Sequence, residues 1–276
     1  MFFKLKPNKI INKSSIQKIY NFIPVIKTLK LATKDTLAIF DVDDVLIMPS
    51  SDDNLKHPYR VQLWEEIKNR STSEKIEILQ SSIIASTNRD LVESRIVNMF
   101  TYLQSQDIPT IALTAMGTGK FGIIKKLEDM RITELNNLGI SFLPTTPLKG
   151  EELAVELKNS TVIFPDCTGM PMLKSGIVLT AGLDKAVVLE YMFRKYNYYP
   201  KTIIFVDDTF KNLESLEQLC VKLKIDFYGF HYVAVSFMPL PELDENLEKL
   251  RFKILEQECS WFSYKKLINK KHLKYR

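Results

Sequence analysis

The sequence predicts an α/β fold in three layers, a buried parallel sheet with helices on both faces, and two observations predict it. The first is a set of short, unbroken apolar runs: Leu37-Ala38-Ile39-Phe40, Ile111-Ala112-Leu113 and Ile203-Ile204-Phe205-Val206. Runs of this kind, with β-branched or aromatic members and no polar face, are typical of parallel strands covered on both sides. The second is that the first and last runs end in acids, Asp41-Val42-Asp43-Asp44 and Asp207-Asp208. Acids placed where such strands stop lie at the carboxyl edge of the sheet, where open α/β folds bind ligands. Asp41 and Asp43 would point the same way in extended chain, whereas a turn after Asp41 would separate their roles. In either case they need a cation or a proton nearby.

Each remaining element follows from local pattern. Residues 12–33 read as an amphipathic lead-in with a helix over about 22–31, Asn21 as its cap and Pro24 in its first turn. Helices are expected over 59–69, 74–85 and 90–105, the last capped by Thr87 or Asn88. After Thr114 the run Gly117-Thr118-Gly119-Lys120-Phe121-Gly122 leads into a helix over 123–137. It satisfies Gly-x-Gly-x-x-Gly, but a dinucleotide site would need an acid ending the next strand, and residues 140–148 hold none. Nor is it a nucleotide-hydrolase phosphate loop, because Thr114 stands where the first glycine belongs and Phe121 follows the lysine. Its backbone N–H groups could still help hold a phosphate. Residues 141–143 are expected as a strand, and 161–164 with 176–179 as a hairpin. A helix over 183–195, a strand over 202–206 leading into a helix through Asn212, a strand over 226–235 and helices over 242–259 and 264–273 complete the chain. The spacing of Leu, Phe and Trp261 in the tail reads as packing.

Composition limits the function classes. With 276 residues and 45% hydrophobic content, the chain can bury a sizeable core as one large or two small domains. No apolar stretch approaches the roughly 18 residues of a membrane span, and no signal-peptide pattern follows the basic start, so a cytoplasmic location is expected, with delivery to a host cell left open. Cys167, Cys220 and Cys259 are scattered and odd in number, which suggests neither disulfides nor zinc. None has an arginine six residues on, so a cysteine-phosphatase loop is also excluded. The net charge of +5 hides an asymmetry. Residues 1–34 hold eight lysines and no acid, and residues 265–276 hold six Lys/Arg and no acid, whereas residues 35–264 carry 24 basic against 33 acidic residues. Basic ends of this kind are either solvated surface or contacts for an anionic membrane or nucleic acid.

The run Asp41-Val42-Asp43-Asp44-Val45 resembles the Asp-x-Asp-x-Thr/Val signature of the haloacid dehalogenase (HAD) superfamily. Three further features fall in that family's order: Thr114 ending the second apolar run, Lys185 in the helix-like stretch Ala181-Gly182-Leu183-Asp184-Lys185-Ala186-Val187-Val188, and the pair Asp207-Asp208. The resemblance spans residues 37–212. It implies a Rossmannoid core over residues 36–48 and 87–235 and a small, mainly helical cap inserted at 49–86. A helical lead-in over 1–35 and a helical extension over 236–276 would flank them. A cap so placed would exclude water and choose the leaving group. Around His57, Tyr59, Arg60 and Trp64 no substrate motif is legible, and His57 reads as a loop residue. The layout is also similar to HAD-like proteins of intracellular bacteria such as legionellae.

The residues themselves allow a definite chemistry. Asp41, Asp207 and Asp208 at the ends of neighbouring parallel strands would form an oxygen-rich site that selects Mg²⁺. Asp41 can attack phosphorus to give an aspartyl-phosphate, while Asp43 protonates the leaving oxygen and then activates water. Thr114 would hold a phosphoryl oxygen, and Lys185 would offset charge growing in the transition state. The resemblance implies these same roles, with the Asp43 backbone carbonyl also binding metal. An acid at position 43 points to phosphatases or phosphomutases rather than dehalogenases or cation pumps. The expected function is therefore Mg²⁺-dependent hydrolysis of a small phosphorylated substrate, with no nucleic acid as partner and membrane contact through the basic ends left open. The alternative is a catalytically silent HAD-like protein that binds membrane or nucleic acid through those ends.

Overall fold

The structure is a computed structural model and describes residues 13–50, 53, 55–149, 153, 157, 169–264 and 266–268. In chain order its strands are β1 (Ser14–Ile19), β2 (Thr36–Phe40), β3 (Ile47–Pro49), β4 (Arg89–Leu91), β5 (Thr110–Thr114), β6 (Met172–Lys174), β7 (Ile177–Leu179), β8 (Thr202–Asp207) and β9 (Asp226–Tyr232). The helices are α1 (Ile23–Leu29), α2 (Pro58–Arg70), α3 (Ser73–Ser86), α4 (Arg95–Ser105), α5 (Leu127–Asn137), α6 (Lys185–Tyr196), α7 (Phe210–Leu223) and α8 (Glu245–Glu258). Seven strands form one sheet in the order β1-β9-β8-β2-β5-β7-β6. Every pairing is parallel except that of β6 with β7. The protein is thus an α/β, Rossmann-like fold.

Side-chain alternation along the strands divides the apolar residues between two cores. On one face Ala38, Phe40, Ala112, Ile204 and Val206 pack with Val25 and Leu29 of α1, Ile96, Phe100 and Leu103 of α4 and Leu135 of α5. On the other, Leu37, Ile39, Ile111, Leu113, Ile203 and Phe205 pack with Val188, Leu189 and Phe193 of α6 and with Leu213 and Leu216 of α7. All five residues of β2 and all five of β5 are buried, which is why these strands carry unbroken apolar runs. Each large apolar side chain so buried contributes about 1.5–3 kcal/mol.

Several local expectations are corrected. Residues 14–19 form a strand at the sheet edge, where the lead-in was expected to supply only a helix; an edge strand buries little, and only Ile19 of β1 is fully buried. The helix that follows is shorter than expected, and Asn21 Oδ1 accepts the Ile23 N–H at 3.0 Å. Residues 90–94 are not helical: β4 comes first, and α4 starts after Ser94 with no side-chain cap from Thr87 or Asn88. Residues 141–143 form no strand. Phe142 instead plugs the core edge-on against Phe100, their centroids 5.0 Å apart. Residues 161–164 lie outside the described residues, and β7 takes β6 as its antiparallel partner. α5 begins at Leu127, after a turn closed by the pairing of Phe121 with Ile124. The last sheet strand stops at Tyr232, and residues Ala234–Phe237 form a 3₁₀ turn. Of the expected final helix, residues 264 and 266–268 are helical and those beyond lie outside the described residues.

The segment between β2 and β5 leaves and returns through the antiparallel pair β3 and β4. Its helices α2 and α3 share a core with α8, in which Leu63, Ile67, Leu79 and Ile83 meet Phe252, Leu255 and Trp261. Beside this core lies a fully buried ion cluster in which Arg60 Nη2 donates to Glu248 Oε1 at 2.7 Å and Arg251 donates to Asp53. Asp53 also accepts the Asn88 N–H at 3.0 Å, tying α8 to the start of β4. Arg60 therefore faces the interior, not a substrate. His57 caps α2, its Nδ1 accepting the Tyr59 N–H at 3.2 Å. Among the described residues no helix is long and apolar enough to cross a membrane.

Candidate metal and acid site at the carboxyl edge

The sheet register fixes which side chains meet. Phe40 of β2 pairs with Val206 of β8, and the Asp41 N–H donates to the Val206 carbonyl at 2.9 Å, so Asp41 and Asp207 emerge side by side. Asp208 follows at the same edge. Carboxylate oxygens of Asp41, Asp207 and Asp208 all lie within 4.8 Å of one another.

Lys185 is the first residue of α6, opposite the helix dipole's preference for an anion there, so its placement needs a local cause. The acids supply it: Lys185 Nζ lies 2.9 Å from Asp41 Oδ1 and 2.6 Å from Asp207 Oδ2, and its side chain is only 4% exposed. Asp184 fixes the helix start by accepting the N–H groups of Ala186 and Val187 at 2.8 and 3.1 Å, while Ser215 Oγ of α7 donates to Asp184. Asp207 is fully buried and heavily committed. Besides Lys185 it accepts the Thr209 N–H at 2.8 Å and Asn212 Nδ2 at 3.0 and 3.2 Å. Asn212 thus orients an acid. Asp208 accepts a weaker bond from Thr209 Oγ1 at 3.3 Å, and its backbone carbonyl lies 2.9 Å from His231 Nε2 on β9.

One lysine does not balance three acids. Burial pushes the Asp41 carboxyl up to about 8, with Asp207 and Asp208 adding to the rise and Lys185 opposing it. Burial, then repulsion from Asp207 and Asp44, pushes Asp208 up to about 6. Lys185 moves up as well, since the attraction of Asp207 and Asp41 outweighs the cost of burying its charge. A divalent cation would correct the excess charge, and three carboxylates are the hard-oxygen donors that Mg²⁺ takes. The residues present fit the ion.

This electrostatic excess has a sign that can be measured. Because Asp41 holds its proton up to about pH 8 when folded and only to the ordinary carboxylate range when unfolded, the folded state binds more protons between those limits. Without metal, this contribution to stability is present in full below about pH 4 and is lost as pH rises through 8. Thermal unfolding in chelator should therefore show the melting temperature falling from pH 6 to pH 8.5. Mg²⁺ should restore more at the higher pH, by about 2.7 kcal/mol at 100 times its dissociation constant. A melting temperature that climbs with pH in chelator would show that the acids are not strained by burial.

Asp43 is not part of this cluster. Arg131 Nη2 sits 3.0 Å from both of its carboxylate oxygens, and Arg89 Nη1 is 3.5 Å away. Partial burial works against its charged form, but Arg131 and then Arg89 outweigh it and hold the carboxyl below the usual range. Of the two courses left open after Asp41, extended chain or a turn, the chain takes the turn: Asp44 has φ 61°, and Asp43 pairs back with Ile47. Asp41 and Asp43 accordingly have separate partners. Thr114 ends β5 beside β2 and is buried, its Oγ1 accepting the Met116 N–H at 3.3 Å. In the glycine loop two backbone donors are already taken, Gly119 by Glu128 at 2.8 Å and Gly122 by Glu77 at 2.7 Å. Cys220 is buried with its thiol pushed up to about 12 by burial, Cys259 is exposed, and Cys167 lies outside the described residues. Sequence reasoning missed Arg89, Arg131 and His231. Each reaches the edge through tertiary placement and sits in no recognisable spacing.

A solved structure, the "Hydrolase, haloacid dehalogenase-like family protein SP0104 from Streptococcus pneumoniae", is 12% identical with a TM-score of 0.39, covering 73% of this chain and 96% of its own. An uncharacterized protein of Rickettsia bellii (strain RML369-C) is 24% identical over 210 residues, 72% of this chain and 68% of that protein. An uncharacterized protein of Rickettsia prowazekii (strain Madrid E) is 22% identical over 214 residues, 75% of this chain and 72% of that protein. A family model described as "Protein of unknown function (DUF2608)" matches residues 16–269, nearly the whole sequence, and this chain belongs to that family.

Proposed function

We propose that this protein is a Mg²⁺-dependent phosphomonoester hydrolase of the haloacid dehalogenase type, with Asp41 as nucleophile. The observation that carries the reading is Lys185 bridging Asp41 and Asp207 at the carboxyl edge, with the Asp208 carboxylate within reach of both acids. Asp41 and Asp208 would hold the ion directly, since both oxygens of Asp207 already accept hydrogen bonds. Bound there, Mg²⁺ would screen the acids from an incoming phosphate. The free Asp41 oxygen attacks phosphorus, forming an O–P bond as the bond to the leaving oxygen breaks, and the leaving oxygen takes its proton from solvent, because Arg131 and Arg89 hold the Asp43 carboxyl below the usual range and keep it ionised. Water then attacks the aspartyl-phosphate while the ionised Asp43 takes its proton and passes it to solvent, releasing phosphate and regenerating Asp41. Lys185 offsets charge growing on the phosphoryl group, and Thr114 at the end of β5 would hold one of its oxygens.

The test is phosphate release from a broad panel of small phosphomonoesters, with Mg²⁺ and with chelator. Metal-dependent release from at least one member is expected. No release from any member, by folded protein that binds Mg²⁺, would reject the hydrolase reading.

A second reading has one observation in its favour. Tyr20 and Phe237 are 56% and 66% exposed, with ring centroids 5.6 Å apart, and Lys18 Nζ lies 5.5 and 5.6 Å from the two rings. Exposed aromatics under a lysine, in a chain whose first 34 residues carry only basic charge, suit the surface of an anionic bilayer. Salt-sensitive sedimentation with phosphatidylserine vesicles, abolished by Tyr20→Ser with Phe237→Ser, would support a binding role. Equal recovery with neutral vesicles would reject it.

A further inference from the structure

Asp43 belongs to a closed ring of four charges. Arg131 Nη2 contacts both Asp43 oxygens at 3.0 Å, Arg131 Nη1 lies 3.3 Å from Glu134 Oε2, Arg89 Nε lies 3.5 Å from Glu134 Oε1, and Arg89 Nη1 returns to Asp43 at 3.5 Å. The ring is neutral, which lets two guanidiniums be nearly enclosed: the Arg131 side chain is 3% exposed and that of Arg89 13%. Asp43 is its open member, with a side chain 44% exposed. Arg131 is held on its other side too, with Nε 3.2 Å from Met116 Sδ.

The four residues come from three parts of the chain. Asp43 follows β2, Arg131 and Glu134 lie on α5, and Arg89 begins β4, the strand by which the helical insertion rejoins the core. The next residue, Asp44, is paired with Lys56, which precedes α2. Both acids after Val42 are therefore gripped by cations near the root of the insertion.

We propose that Arg131, supported by Arg89 and Glu134, is a positioning residue for Asp43, fixing the direction of its carboxylate and linking that direction to the seating of the insertion. The proposal rests on the phosphoryl-transfer reading above, in which Asp43 moves the proton. A short carboxylate side chain can swing about two torsions, whereas Arg131 Nη2 seated between both oxygens, with Arg89 Nη1 at 3.5 Å, restricts that swing. Proton transfer requires heavy atoms within about 2.6–3.2 Å, and misplacement by about 1 Å can lower a rate on the order of 10²-fold.

The experiment is a double-mutant cycle on steady-state rates with the best substrate of the panel, using wild type, Arg131→Gln, Asp43→Asn and the double variant, with Arg131→Lys as the conservative control. Arg131→Gln is expected to lower kcat about 10- to 100-fold with KM within about threefold, and Arg131→Lys to recover part of the loss. In the Asp43→Asn background, Arg131→Gln should cost less than about twofold more, because nothing is left to position. Arg89→Gln should lower kcat in the same direction. Loss of equal size in both backgrounds, or coupling between positions 43 and 131 seen in thermal unfolding but not in kcat, would overturn the positioning role. A wild type that releases no phosphate from any panel member rejects the phosphoryl-transfer reading, and the role falls with it. That outcome is distinct from an active wild type whose kcat ignores Arg131.

Discussion

Asp41→Asn is expected to lower phosphate release by at least about 10³-fold while leaving the protein folded. An amide keeps the shape of the side chain and its backbone bond to the Val206 carbonyl, but it cannot form an aspartyl-phosphate. The same change removes one of three mutually repelling acids at the edge, so in chelator at pH 8.5 the variant should melt a few degrees above wild type. Activity lost and stability gained together would identify a site that trades stability for chemistry. A variant that retains turnover would remove Asp41 from the nucleophile role, and one that melts far below wild type would mean the carboxylate is chiefly structural.

Lys185→Met should act in the opposite direction on stability. Lys185 is the cation shared by Asp41 and Asp207, and both acids are buried, so an apolar side chain of similar length leaves them facing each other uncompensated. Breaking a buried ion pair from one side costs about 3–5 kcal/mol. At about 2–4 °C for each kcal/mol in a domain of this size class, the melting temperature in chelator at pH 8.5 should fall roughly 6–20 °C. Mg²⁺ should return part of the loss, since a divalent ion can take over the neutralising role. Acidification from pH 8.5 to 6 should return another part, by protonating Asp41. Activity should fall at least about 10²-fold even with Mg²⁺ saturating, because the cation proposed to offset charge on the phosphoryl group would be gone. A variant as stable as wild type in chelator would show that the acids are not held together through this lysine.

Much of the core was legible because parallel strands buried on both faces leave a plain mark. β2, β5 and β8 are unbroken apolar runs, and the acids that follow the first and last are brought together by register alone. Lys185 could be singled out only by its order relative to those runs, since in isolation a lysine beginning a helix looks like surface. β1 left no such mark. It lies at the edge, mostly exposed, and polar residues there cost little, so Ser14-Ser15-Ile16-Gln17-Lys18 carries no apolar signal. Ser141-Phe142-Leu143 reads as a short strand, yet the burial of Phe142 comes from plugging the core rather than from pairing.

The insertion shows the second limit. α2, α3 and α8 share apolar and ionic contacts between residues far apart in the chain, with Arg60 on Glu248 and Asp53 on Arg251 across 188 and 198 residues. Local pattern carries no information about such partners. The same holds for Arg131, which lies on α5 and reaches Asp43 across 88 residues. The sequence marks where the acids of the edge must gather, while the arginines that orient one of them become visible only when the chain is folded.

The most direct test of the central claim is to find the phosphoryl group on Asp41. Wild type with Mg²⁺ would be mixed with a small phosphoryl donor such as acetyl phosphate, quenched in acid within a single turnover, reduced with borohydride and digested for mass spectrometry. An acyl phosphate at position 41 would be reduced to homoserine, and that conversion is expected at Asp41, dependent on Mg²⁺. Turnover of the donor with no conversion at position 41, or with conversion at another residue, would contradict the account.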